Sequence, residues 1–124
     1  MEEQLLKEEL INVYDVYIKG FKNNDMELIN SIINFPIAIL KDGEIAMLNH
    51  YPINPKQLKI EKEWDHSTDW KFEITAINKK NAHINASAIR RKQNGDYIEK
   101  VSAFYGFAKL KGKWKMCSLS EIIS

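Results

Sequence analysis

Residues 70–116 read WKFEITAINKKNAHINASAIRRKQNGDYIEKVSAFYGFAKLKGKWKM, strand-like runs separated by clusters of turn-forming residues. The breaks fall at Asn78-Lys79-Lys80-Asn81, Asn94-Gly95-Asp96 and Lys111-Gly112-Lys113. Successive side chains on a strand point to opposite faces, so Trp70, Phe72, Ile74 and Ala76 share one face and Ala82, Ile84, Ala86 and Ala88 another. Val101, Ala103, Tyr105 and Phe107 share a third, and Trp114 and Met116 a fourth. The pattern predicts four consecutive long strands in an antiparallel meander. Phe104 and Leu110 lie opposite Tyr105 and Phe107, so the middle of the sheet is apolar on both sides and needs cover on both.

Upstream, Leu6, Leu10, Val13, Tyr14, Tyr17 and Phe21 are spaced by three and four, the stripe of an amphipathic helix. Gly20 and Asn23-Asn24 favour its end, and Asn24 followed by Glu27 reads as a cap for a second helix carrying Met26, Ile29, Ile32 and Ile33 inward. That helix must stop before Pro36, which has no amide proton to donate. Phe35 to Leu40 and Ile45 to Leu48 flank Lys41-Asp42-Gly43-Glu44, and Asp-Gly suits the positive φ angles of a hairpin turn. Asn54-Pro55 fits an N-cap followed by proline at the first helical position, opening a short third helix through Lys62.

Composition sets the frame for these elements. The chain has 124 residues, 44% of them apolar, and 18 basic against 17 acidic side chains, which suits one globular domain over 1–124. Charge is unevenly spread: residues 1–70 hold 7 Lys/Arg and 13 Asp/Glu, whereas residues 71–124 hold 11 and 4. A helical half of net −6 and a sheet half of net +7 attract each other and present solvated outer faces. Lone Cys117 leaves no internal disulfide, no apolar run is long enough for a membrane span, and Met1-Glu2-Glu3 lacks a signal peptide's basic flank. A cytoplasmic location is expected. Three scattered histidines (His50, His66, His83) and one thiol lack metal-ligand spacing, and five scattered glycines make no phosphate loop, so neither metal nor cofactor is expected. Arg90-Arg91-Lys92 with Lys109, Lys111, Lys113 and Lys115 reads as solvated edge protection rather than a nucleic-acid surface.

The order ααββαββββ, with Gly20-Phe21-Lys22-Asn23-Asn24-Asp25 closing the first helix, a proline in Ile32 to Leu40, and a final Leu110-Lys111-Gly112-Lys113-Trp114-Lys115, resembles the NTF2-like (cystatin-like) superfamily over the whole chain. SnoaL-like and ketosteroid isomerase-like proteins belong to that superfamily. The resemblance implies an α+β cone, with a curved antiparallel sheet wrapped around the long N-terminal helix, an apolar pocket inside, and a homodimer formed through the outer sheet face. It does not bring one reaction with it, since such a fold hosts enzymes and binding modules alike. The carboxylate base that ketosteroid isomerase-like enzymes carry late in the first strand is missing, because Ile37-Ala38-Ile39-Leu40 is aliphatic. Their first-helix tyrosine could correspond to Tyr14 or Tyr17. Asp65-His66-Ser67, His83, Arg90 and Ser102 are similar to a polar set in other NTF2-like proteins.

The densest polar cluster is Glu63-Trp64-Asp65-His66-Ser67-Thr68-Asp69-Trp70. Asp65 beside His66 could fix the tautomer of a proton-transfer imidazole, or the segment could simply form a helix-to-strand loop. His83 shares a polar strand face with Asn85, Ser87, Ile89 and Arg91, which reads as outward-facing unless a bulge turns His83 into the cone. The leading expectation is a domain that binds a small apolar or aromatic molecule between walls of Tyr14, Tyr17, Phe35 and Trp64. Polar contacts would come from Asp65, His66, His83, Arg90, Ser102 and Tyr105, Arg90 being suited to a carboxylate by its planar fork. The alternatives are a lyase or isomerase that uses His66 with Asp65, and a non-catalytic dimerisation or partner-binding module.

Overall fold

A computed structural model describes residues 1–124. The elements are α1 (Glu2–Lys22), α2 (Met26–Ser31), β1 (Ile33–Lys41), β2 (Glu44–Leu48), α3 (Pro55–Lys62), β3 (His66–Ile77), β4 (Asn81–Arg91), β5 (Tyr97–Leu110) and β6 (Lys113–Ile123), in the expected order. One six-stranded sheet runs β2-β1-β6-β5-β4-β3 and curves around α1, giving the α+β cone of the NTF2-like fold. The sheet is mixed rather than wholly antiparallel. The meander closes onto the first hairpin through a parallel pair, β1 with β6, in which Ile39 stands beside Leu119 and Lys41 beside Glu121.

The helical stripe buries Leu6, Leu10, Tyr14 and Tyr17 against the sheet's inner face, where Ile37, Ile84, Phe107, Met116 and Leu119 meet them in one continuous core. Each such side chain contributes about 1.5–3 kcal/mol by leaving water. At Gly20 the first helix meets the second so closely that a Cβ would stand 2.9 Å from Ile29 Cγ1. The cap of α2 is Asp25 rather than Asn24: the Asp25 carboxylate accepts from the Leu28 amide, at 3.0 Å. Asn24 instead accepts from the Lys56 amide and so ties α2 to α3. Asn54 and Pro55 open α3 as their residue types predict, with Asn54 Oδ1 accepting from Lys56 and Gln57. Asp42 and Gly43 both take the positive φ that the β1–β2 turn requires.

Two irregularities in β3 revise the face assignments made from simple alternation. Between Thr68 and Lys71 the strand advances three residues while β4 advances two, from Ile89 to Ser87. The surplus residue is Asp69, at φ +55°. Thr68 Oγ1 donates to Asp69 at 2.8 Å and accepts from Arg91 Nε at 2.7 Å, which pins the bulge from the outside. Ser67, Trp70 and Phe72 therefore all line the inner side. A second shift after Ile74 pairs Ala76 with outward His83 and returns Ile77 inward, so Ala76 does not share the face of Ile74.

Candidate functional site

The cone is nearly filled by its own aromatic side chains. Tyr14 and Tyr17 from α1 meet Tyr105 from β5 at ring-centroid distances of 5.7 and 5.6 Å, and Tyr51, from the segment after β2, closes on Tyr17 at 5.9 Å. What stays open is a cavity of about 50 Å³. Its polar lining is Tyr14, Tyr17, Ser67, Ser87, Arg90, Tyr105 and Glu121. The resemblance implied an apolar pocket inside the cone, and this interior is too small to hold a ligand by itself. The larger space lies beside it, a groove of about 340 Å³ between α1 and the edge strand β3, walled by Ile11, Tyr14, Ile18, Trp70 and Phe72. Groove and cavity share Tyr14, Ile18 and Trp70, so the two adjoin, with an apolar mouth on the groove side and a polar floor on the cavity side.

Each polar group on the floor has a traceable setting. Burial pushes the Tyr14 hydroxyl up to about 12, and it raises Tyr17, Tyr51 and Tyr105 well above the usual tyrosine value. All four are neutral hydroxyls at physiological pH, able to donate or accept. Ser67 Oγ accepts from Trp64 Nε1 at 3.0 Å, which leaves the serine proton free to be donated. Trp70 Nε1 donates to the Ser67 carbonyl at 3.1 Å, so one tryptophan on each side holds the serine. Glu121 is buried, and Lys41 Nζ lies 2.8 Å from its Oε1, close enough for charge pairing but off the line of a hydrogen bond.

Arg90 continues the inward parity of Ala82, Ile84, Ala86 and Ala88, which is why a charged side chain sits in the interior. It is 4% exposed, and its Nη1 donates to Glu99. Lys62 Nζ bonds both oxygens of the same carboxylate, at 2.8 and 3.0 Å. Burial alone would push the Glu99 carboxyl up. The hydrogen bonds and charges of Lys62 and Arg90 outweigh it and hold the group below the usual carboxylate value.

Of the ten residues singled out from sequence, Tyr14, Tyr17, Arg90 and Tyr105 converge on the cavity. Trp64 is buried one layer behind, against Phe21 at 5.4 Å, and shapes the site through Ser67. Phe35 packs against the core from β1 but does not wall the cavity. Asp65 and His66 do pair, at 2.9 Å between Oδ2 and Nδ1, yet their side chains are about half exposed and neither lines the cavity or groove. His66 stands opposite Arg91, on the outer parity, because inward Ser67 follows it. Proton transfer by His66 inside the cone therefore has no geometric basis. His83 is outward too, packed on Phe104 at 5.0 Å, with no bulge to reverse it, and Ser102 opens onto a shallow hollow on the same outer face. Ser67 and Trp70 lie within the polar cluster singled out from sequence but have no lining role there, and sequence reasoning missed Glu121 on the lining and Tyr51 behind Tyr17. Of the two missed, only Glu121 carried a signal, a lone acid in the register of Leu119 and Ile123. No three His, Cys, Asp or Glu side chains gather in a way that could hold a metal ion, and no helix is long and apolar enough to cross a membrane.

No protein-family model and no curated protein sequence matches the chain. Solved structures do. An NTF2-like protein of unknown function from Shewanella baltica OS155 superposes with a TM-score of 0.64 at 18% identity, over 97% of this chain and 94% of that one. Another, from Silicibacter pomeroyi DSS-3, gives a TM-score of 0.68 at 15% identity over 100% of both chains. A protein of unknown function with a cystatin-like fold, from Nostoc punctiforme PCC 73102, gives 0.65 at 11% identity over 95% of this chain and 90% of that one. At these identities the likeness is one of fold, and the chain has the NTF2-like fold.

Proposed function

We propose that the chain is a small-molecule-binding domain whose ligand lies in the groove between α1 and β3, with its inner end in the cone. The observation that carries this reading is the continuity of an apolar groove with a cavity floored by neutral hydroxyls and Arg90, through shared walls at Tyr14, Ile18 and Trp70. Trp70 and Phe72 are 46% and 40% exposed, a large apolar area for a chain to leave wet on an inner face. Their rings suit a flat or aromatic partner, because aromatic groups pack favourably in offset or edge-on contact. A thermal-shift screen of small aromatic and apolar molecules tests the reading. A ligand at 100 times its dissociation constant adds about 2.7 kcal/mol of stability, and Trp70→Ala should remove most of that gain. A panel that moves neither the melting temperature nor the tryptophan fluorescence would reject it.

A second reading is compatible with the first: the chain forms a homodimer through the outer sheet face. Leu40 pairs with Ile45 and Ala38 with Met47 on that face, and Phe104 and Ile122 continue it across β5 and β6. Ile45, Met47 and Ile122 are 84%, 61% and 65% exposed. Apolar groups gathered this way favour burial against a second surface, and an isologous pair of sheets supplies one.

A further inference from the structure

We propose that the ligand of this site is a small aromatic carboxylate, with its anionic end against the free edge of Arg90 and its ring beside Trp70 and Phe72. The proposal rests on the small-molecule reading above and adds the sign of the ligand's charge.

Glu99 has two cationic partners. Lys62 already grips both oxygens of that carboxylate, and Arg90 reaches only Oε2, through Nη1 alone. A guanidinium is built to offer two parallel N–H groups to one carboxylate. Here that fork is not engaged, and no protein acceptor takes Nε or Nη2. Two cations thus share one anion. Lys62 is about one-third exposed and keeps water, whereas Arg90 is buried and brings the unengaged edge of its guanidinium to the cavity lining, within a trio that carries one surplus positive charge. The other acid on the floor, Glu121, is matched by Lys41. Ser67, directly across from Arg90 in the β3–β4 register, adds a hydroxyl whose proton is free.

The dimensions agree with this division of labour. About 50 Å³ is the scale of one or two water molecules, room for a carboxylate but not for a ring. The groove of about 340 Å³ next to it has room for the ring. At the mouth, Lys71 stands on the groove wall and Lys22 lies 5.1 Å above the Trp70 ring, against the single acid Asp15. Asp69, the nearest other carboxylate along the strand, sits 3.5 Å from Arg91. An anion approaching this mouth meets an excess of positive charge.

The test compares phenylacetate with its neutral near-isostere phenylacetamide, by titration calorimetry on the full chain and on Arg90→Gln, Glu99→Gln and Trp70→Ala. The expected result is phenylacetate binding at least about tenfold tighter than the amide, the difference a charge-assisted bond makes over a neutral one. That preference should collapse in Arg90→Gln and widen in Glu99→Gln, where Arg90 loses its competing anion. In Trp70→Ala both probes should weaken together. If Arg90→Gln does not fold, the wild-type ratio and the Glu99→Gln ratio still decide the matter. Equal binding of the two probes overturns the charge assignment and leaves the small-molecule reading standing. Binding of neither overturns both.

Discussion

The hydroxyls of Tyr17 and Tyr51 hydrogen-bond to each other inside the cone, joining α1 to the segment that leads into α3. Both residues are buried, so each hydroxyl satisfies the other away from bulk water. Tyr17→Phe or Tyr51→Phe alone leaves one buried hydroxyl without its partner and should cost about 1–3 kcal/mol. The double variant removes both groups together and should cost clearly less than the sum. Urea unfolding of the four proteins as a double-mutant cycle measures the coupling. Strictly additive losses would show that the bond contributes nothing of its own.

Raised tyrosine values make the fold sensitive to alkali. A proton held more tightly in the folded than in the unfolded chain contributes stability that is complete below the unfolded value and is lost as pH rises through the folded one. For Tyr14 the window runs from the ordinary 10.0 to about 12. Two units correspond to roughly 2–3 kcal/mol from this residue alone. Stability should fall steeply above pH 10, and Tyr14→Phe should flatten that fall. A melting temperature that stays level between pH 10 and 12 would contradict the tight burial of these rings.

Glu99 gives the opposite sign at the acid end. Its folded value lies below the unfolded one, so its contribution is present above the unfolded value and fades as pH drops through the folded value. The stability gap between the wild type and Glu99→Gln should be constant near neutrality and narrow below about pH 4, the unperturbed carboxylate range. Melting curves recorded through that range check it. A gap that widened on acidification would mean that Lys62 and Arg90 do not stabilise the carboxylate.

At Gly20 two effects compete. Alanine gains about 1 kcal/mol of helix propensity over glycine. Its Cβ, however, would stand 2.9 Å from Ile29 Cγ1 and 3.1 Å from the Asp25 carbonyl oxygen, and overpacking of that kind costs about 1–3 kcal/mol. Gly20→Ala should be net destabilising, and Ile29→Ala in the same chain should cost less than it does alone, because the two volumes trade. Chemical denaturation of the single and double variants reads this directly.

For the outer face, Ile45→Lys with Met47→Lys should leave the melting temperature of a dilute sample nearly unchanged, since both side chains are largely exposed. Sedimentation equilibrium should find the wild type as a dimer and this variant as a monomer. A wild type that is monomeric at high micromolar concentration would remove the dimer reading.

Much of this architecture is legible in local patterns because local physics produces it. The three-and-four spacing of Leu6 to Phe21, the Asp42-Gly43 turn and the Asn54-Pro55 cap each depend on a few neighbouring residues. The floor of the site does not. Ser67 and Phe72 reach the same face only because Asp69 adds a surplus residue between them, and strict alternation puts them on opposite sides. Glu121 faces inward with Met116 through a comparable shift between Gly106 and Phe107 in the β5–β6 register. The pairing of β1 with β6 joins residues about eighty positions apart and leaves no mark in either strand. Arg90 is the instructive intermediate case. Its inward parity follows directly from Ala82 to Ala88, but the anion it meets comes from the next strand and a second cation from α3.

The placement of β6 between β1 and β5 also makes it the keystone of the sheet. Without that strand the sheet reduces to a two-stranded hairpin and a three-stranded ribbon with no backbone ladder between them. Clipping β6 away should therefore divide the sheet in two rather than merely shorten it.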